Sequence, residues 1–231
     1  MPLYFHPLYT DGIHPDARFP RDRYRLIAER FSHGGRAELV DVRTAPMATP
    51  DEVARAHDAD YVHRFISGEM SLAERRRVGL RPWTDLLIPR MLHIRGGAIA
   101  GLADVMRSGG VAANMAGGTH HAHFDAGSGF CVFNDLAICA RTAQQVHGIE
   151  RIAIIDLDVH QGDGTATILK DDPGIFMLSV HCEANFPFRK AQSTFDVGLP
   201  EQTGDTQFLA AVRDALQPVA AFEPQLVLFQ A

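Results

Sequence analysis

Cysteine is scarce in this chain: Cys131, Cys139 and Cys182 are the only three in 231 residues, and no C-x-x-C spacing occurs. An odd, scattered set supports neither a disulfide framework nor a cysteine zinc knuckle, so a reducing cytoplasm is the default expectation. Long apolar runs are also missing. No stretch is long enough to span a bilayer and no signal-peptide pattern opens the sequence, so no membrane partner is expected. Basic residues are outnumbered, 22 Lys and Arg against 28 Asp and Glu, and the formal net charge of −6 argues against a surface built for nucleic acid. Repeats and low-complexity tracts are absent. With 46% hydrophobic and 22% charged residues, the chain has the makings of one large α/β domain, 1–231, and shows no linker to divide it.

What is present divides into a helical first half and a chemistry-rich second half. Leu3-Tyr4-Phe5 is a short apolar piece, followed by a turn-rich segment over Asp11–Pro20. Apolar spacing predicts a helix over Arg21–Ser32 and a strand over Glu38–Val42. Thr49-Pro50-Asp51-Glu52 and Ser71-Leu72-Ala73-Glu74 are capping-box patterns that open helices. A long helix should start at Thr84 or Asp85 and run to about Arg107, burying Leu87, Met91, Ile94, Ala98, Leu102 and Val105. Asn134 should cap another, with Leu136, Cys139, Ala143 and Val146 inward and Gly148 closing it. Strands at Ile152–Ile155, Ile175–Val180 and Leu226–Phe229, with a helix over Gly204–Leu216, imply a mainly parallel sheet with helices on both faces.

The chemistry concentrates where the first of these strands ends. Asp156, Asp158, His160 and Asp163 place three carboxylates and an imidazole within eight residues after a buried isoleucine-rich strand. Charge there must be paired or metal-bound, and ligand sites of open α/β sheets gather beyond the carboxyl ends of the strands. Asp158 and His160, two apart, leave an extended backbone on the same side and can share one ion. The long glycine-punctuated loop 109–134 carries Gly117-Gly118-Thr119-His120-His121. Adjacent histidines suit amide hydrolysis, one moving protons and the other stabilising charge, each oriented by a carboxylate. Asp156 and Asp163 are the spare carboxylates for that task. The remaining histidines, His6, His14, His33, His57, His63, His93 and His147, read as surface or capping residues. His123 reads as a loop residue at the rim, and His181 equally well as a packed or a site residue.

Taken together, GGTHHAHFDAGSGFCVFND and IDLDVHQGDGT resemble the zinc-dependent histone deacetylase family, with its acetoin-utilisation and acetylpolyamine deacetylase relatives. The segments His14–Pro20 and His57–Val62 are similar to the bacterial and class IV-like branch. The resemblance implies a single arginase-like α/β domain. It makes His121 the general base and acid, His120 its electrostatic companion, and Asp158 and His160 metal ligands. The metal would be Zn²⁺, with Fe²⁺ an alternative for such ligands. A potassium ion would sit beside it on Asp156, Asp158, His160, Ser179 and Val180. The walls of the acyl-lysine tunnel would fall on Gly129, Phe130 and Phe186, with Phe188 the alternative to Phe186.

The family's third metal ligand and its carbonyl-polarising tyrosine lie in segments expected past Ala231, so the sequence reads as truncated at that end. Tyr4, Tyr9, Tyr24 and Tyr61 all lie in the first third, none in that tyrosine's context. The expected activity is hydrolysis of acetyl-lysine or of a small acylated amine. Two other readings stand beside it: a non-catalytic acyl-lysine-binding module, and a two-metal ureohydrolase of the same fold. The second would want a carboxylate where Gly162 stands.

Overall fold

In a computed structural model the described residues are 1–33 and 37–230, without the side chains of residues 32, 33 and 37. The surface role expected for His33, and everything expected from Ala231 onward, lie outside them. The elements are β1 Pro2–Phe5, α1 Leu8–Asp11, α2 Arg23–His33, β2 Asp41–Thr44, α3 Pro50–Ala54, α4 Ala59–Ile66, α5 Leu72–Val78, α6 Leu87–Ser108, β3 Ala113–Asn114, α7 Asp135–His147, β4 Ile152–Asp156, α8 Asp163–Leu169, β5 Ile175–Cys182, β6 Phe195–Leu199, α9 Asp205–Ala221 and β7 Leu226–Gln230. All strand pairs are parallel, in two sheets of order β2-β1-β3 and β6-β5-β4-β7.

Both capping boxes form as the sequence predicts. Thr49 and Glu52, and Ser71 and Glu74, exchange side-chain and backbone hydrogen bonds at the starts of α3 and α5, each such cap stabilising its helix by about 1 kcal/mol. Asn134 accepts from the Ala137 N–H at the start of α7, and Gly148 closes that helix in the left-handed region. The strand expected over Glu38–Val42 is displaced. Ala37–Leu39 forms a 3-10 turn, and pairing begins at Asp41, where the register with Pro2 of β1 sets it. Asp11 belongs to the short α1 and not to a turn. Helix α9 runs past Leu216 to Ala221 because Val219 continues the stripe of Phe208, Val212 and Ala215.

Alternation along β4 divides the core. Ile152 and Ile154 join the large cluster with Met91, Ile138 and Leu136 from α6 and α7, while Ala153 and Ile155 meet Ala215 and Val219 of α9 on the other face. A strand buried on both sides reads as a continuous apolar run, as this one does. Val146 is 56% exposed, against expectation. The buried face of α7 is spent at Leu136–Ala140, Thr142 and Ala143, and its last turn stands clear of the sheet.

The register also lines up a polar row at the carboxyl rim. Asp156 of β4 pairs with Ser179 of β5 on one side and Gln230 of β7 on the other, and Ser179 pairs with Asp196 of β6. That row is the floor of the site described next.

Candidate active site

The rim brings two buried histidines against two carboxylates. His120 Nδ1 lies 2.5 Å from Asp156 Oδ2, and His121 Nδ1 lies 2.7 Å from Asp163 Oδ1. The two rings stand side by side, centroids 4.1 Å apart. Each imidazole therefore has one nitrogen occupied by an acid, which leaves Nε2 for other chemistry.

Their electrostatics differ. Burial works against a charged His120, but the hydrogen bond and charge of Asp156, with Asp158 and Asp163 nearby, outweigh it and raise its pKa. Burial dominates at His121 and, helped by His120 and His160, holds its pKa down despite Asp163. At Asp163 burial opposes ionisation, yet the bonds from His121 and His123 keep the carboxyl well below its usual range.

Beside this pair the Asp158–His160 segment folds back on itself. Asp158 Oδ1 accepts from the His160 N–H at 2.8 Å and lies 2.8 Å from His160 Nδ1. His120 Nε2 is 3.9 Å from the same oxygen. Ring nitrogens of His120, His121 and His160 come within 4.8 Å of one another. An oxygen and several imidazole nitrogens converging on one point are the donor set that Zn²⁺ or Fe²⁺ takes. His120, His121 and His160 each have Nδ1 against a carboxylate, on Asp156, Asp163 and Asp158, so each offers its Nε2. Asp163 spends its oxygens on His121 and, at 3.5 Å, on His123, so it is not a further metal carboxylate of the ureohydrolase kind.

Two of the expected pocket residues, Gly129 and Phe186, lie against His121. Gly129 sits at φ +53°, and a Cβ there would come within 2.7 Å of the His121 ring, so only glycine permits the approach. Phe186 meets His121 edge-on at 4.8 Å between centroids, whereas Phe188 is 88% exposed. Phe130 stands further out, half-exposed and edge-on to Phe19 at 5.6 Å. Of the residues expected to hold potassium, Asp156 and Ser179 line a small, mainly apolar cavity with Gly162, Thr165 and Leu178, whereas Asp158, His160 and the buried Val180 do not line it. Tyr4, Tyr9, Tyr24 and Tyr61 are all buried in the core.

Several participants escaped the sequence reading. His57, read as a surface or capping residue, is 2% exposed and ties Phe124 to Asn134. His123 grips Asp163. The buried Gln161 donates to the Ala191 and Asp196 oxygens and accepts from the Ala191 N–H. Asp135 accepts from Gly118 N, Thr119 N and Thr119 Oγ1 just ahead of the histidine pair. His181, which the sequence left open between packing and a site role, is buried, with Nδ1 3.0 Å from Ser179 Oγ. A signal existed only for Gln161, whose place beside His160 inside the motif marked it.

Two His–Asp pairs thus stand beside Asp158 and His160 at the carboxyl rim of a parallel sheet. The histone deacetylase domain matches residues 17–231, and the chain belongs to that family. It is 40% identical over its whole length to an uncharacterized protein of Picosynechococcus sp., spanning 76% of that protein. Over 98% of the chain it is 30% identical to the acetoin utilization protein AcuC of Bacillus subtilis, spanning 64% of it. Among solved structures, the HDA15 HD domain superposes with a TM-score of 0.80 at 19% identity, over the whole chain and 73% of that domain. The acetylpolyamine aminohydrolase of Burkholderia pseudomallei gives 0.76 at 22%, over the whole chain and 81% of its own. These two likenesses establish the fold. Among the described residues, no helix is long and apolar enough to cross a membrane.

Proposed function

We propose that this protein is a zinc-dependent deacetylase that hydrolyses the amide of an acetyl-lysine side chain or of a small acylated amine. The observation that carries the reading is the twin arrangement of His120–Asp156 and His121–Asp163 beside Asp158 and His160. A binding module has no use for two oriented imidazoles with their outer nitrogens free.

Asp158 and His160 would hold the metal. When bound, the ion supplies Lewis-acid polarisation of the acyl carbonyl and acidifies water. His121 takes a proton from the attacking water at its outer nitrogen and delivers it to the leaving amine as the C–N bond breaks. Asp163 keeps that ring in the required tautomer. His120, charged more readily against Asp156, balances the negative charge that grows on the acyl oxygen. A potassium ion held by Asp156, Ser179 and the chain at Asp158, His160 and Val180 would steady the same floor. Gly129, Phe130 and Phe186 would flank the acyl-lysine stem. The names of the relatives AcuC and acetylpolyamine aminohydrolase support an acylated amine as substrate. The three free thiols fit a cytoplasmic setting.

The test is acetate release from an acetyl-lysine peptide and from an acetylpolyamine by His121→Ala. The expected result is a kcat at least about 100-fold lower, the scale of general acid–base catalysis, with metal content unchanged. Parent-like turnover would remove His121 from the role.

A further inference from the structure

The segment between β5 and β6 carries Phe186 to the histidines without regular structure of its own. One side chain binds three of its carbonyls. Lys190 Nζ donates to the backbone carbonyls of Glu183, Asn185 and Pro187, each at 2.8 Å. An ammonium has three N–H donors, and here all three are spent on main-chain oxygens. Among the described residues, no carboxylate forms an ion pair with it within 4.0 Å. The carbonyls belong to alternate residues 183, 185 and 187, so the chain is wrapped around the cation, and Phe186 projects from the middle of the wrap.

The far end of the segment is fixed separately. Ala191, the next residue, gives its N–H to Gln161 Oε1 at 2.8 Å and takes Gln161 Nε2 on its carbonyl at 2.9 Å. Gln161 follows His160 directly in sequence. A Lys190–Ala191 dipeptide thus joins the wrap to the strand end that carries the donor set, and Phe186 rests 4.8 Å from the His121 ring and 6.1 Å from that of His160.

We propose that Lys190 is a positioning residue for the substrate pocket, its ammonium acting as a built-in cation around which the 183–187 main chain folds to hold Phe186 against His121. The inference rests on the reading of Phe186 as a pocket wall. Lys190 touches neither the reacting atoms nor the metal donors, so its loss acts on substrate binding more than on proton transfer. Charge attraction to aligned carbonyls is the cause, and a neutral side chain of similar length cannot supply it.

The experiment compares Lys190→Met, Lys190→Ala and Phe186→Ala with the parent, using the metal-loaded protein. Hydrogen exchange of the 183–191 segment reads the wrap itself, and steady-state kinetics on an acetyl-lysine peptide read its consequence. Faster exchange confined to that segment is expected for both Lys190 variants, with KM raised roughly 5- to 10-fold and kcat within about 3-fold. Propylammonium should restore the exchange rate and KM of Lys190→Ala by refilling the cradle, and should leave Phe186→Ala unmoved. Unchanged exchange in both Lys190 variants, or no rescue, overturns the cradle. Faster exchange with parent KM, while Phe186→Ala raises KM, overturns the positioning role and leaves the pocket reading standing. A neutral Phe186→Ala overturns the pocket reading itself, whatever Lys190 does.

Discussion

Gln230 and Asp156 are register partners on β7 and β4, and their side chains meet beside His120. The carboxamide nitrogen of Gln230 donates to Asp156 Oδ1 at 3.3 Å, while Asp156 Oδ2 lies 2.5 Å from His120 Nδ1. Strand β7 therefore contributes to the site through a neutral side chain that clamps the carboxylate of one His–Asp pair. In the other pair, it is His123 that meets the carboxylate, 3.5 Å from Asp163.

This asymmetry separates the two carboxylates. Asp163→Asn keeps a hydrogen-bonding group behind His121 but removes the charge that favours its protonated form, so kcat should fall by about 10- to 100-fold. Gln230→Leu leaves the His120–Asp156 contact in place and loses only the clamp, so a fall of about 10-fold or less is expected. Metal content should match the parent in both. Rates and bound metal measured side by side decide it; a Gln230→Leu defect larger than that of Asp163→Asn would reverse the proposed ranking.

Much of this site was legible because motif and spacing carry its chemistry. Asp158-x-His160 at a strand end, with paired histidines on a long loop, raised the expectation of a shared site, and the fold brings these side chains together. The carboxylates behind His120 and His121 followed from counting what remained. Gln230 was not legible, because its role depends on the register between β4 and β7, which a single strand does not encode. His57 was not legible either, since a lone histidine early in a chain gives no hint of its partners Phe124 and Asn134. The stripe of α6 was read correctly at Leu87, Met91, Ile94 and Leu102. Periodicity gave no reason to expect charged Arg90, Arg95 and Asp104 buried on the same helix. Their burial depends on acceptors brought from other elements, which hydrophobic spacing does not describe.

Arg95 shows what such a residue can do. It is fully buried, and its Nη2 donates to Thr119 Oγ1 at 3.0 Å and to the Phe133 carbonyl, bracing the loop one residue ahead of His120. Burial pulls its pKa down, and the nearby charge of Asp135 opposes this. Arg95→Ala removes the brace and leaves a cavity beside a buried carboxylate, so destabilisation on the order of 3–5 kcal/mol is expected. For a chain of this length that is a fall in Tm of roughly 10 °C. Arg95→Met fills the space without the charge and should recover part of the stability while kcat stays low. Equal melting temperatures for the parent and Arg95→Ala would show that the buried guanidinium stabilises nothing.

The last prediction concerns acid. His57 Nε2 accepts from the Asn134 N–H at 2.8 Å, so its proton sits on Nδ1, 3.1 Å from the Phe124 carbonyl. Only the neutral ring can make both bonds. Burial, opposed by the Phe124 carbonyl and assisted by Arg95, pushes its pKa down to about 4 from an ordinary 6.5. The unfolded chain therefore binds this proton first as pH falls. The stability that His57 contributes is whole above about pH 6.5, declines between about 6.5 and 4, and is gone below that window. The full loss is on the order of 3 kcal/mol, taking 1.36 kcal/mol per pKa unit. In His57→Asn the unfolding free energy should be lower at pH 7.5, and its decline between pH 6.5 and 4 should be shallower than the parent's by about that amount. Urea unfolding across that range measures both. Parallel declines in parent and variant would mean that His57 is protonated as easily in the fold as outside it, and that the tie between Phe124 and Asn134 does not require the neutral ring.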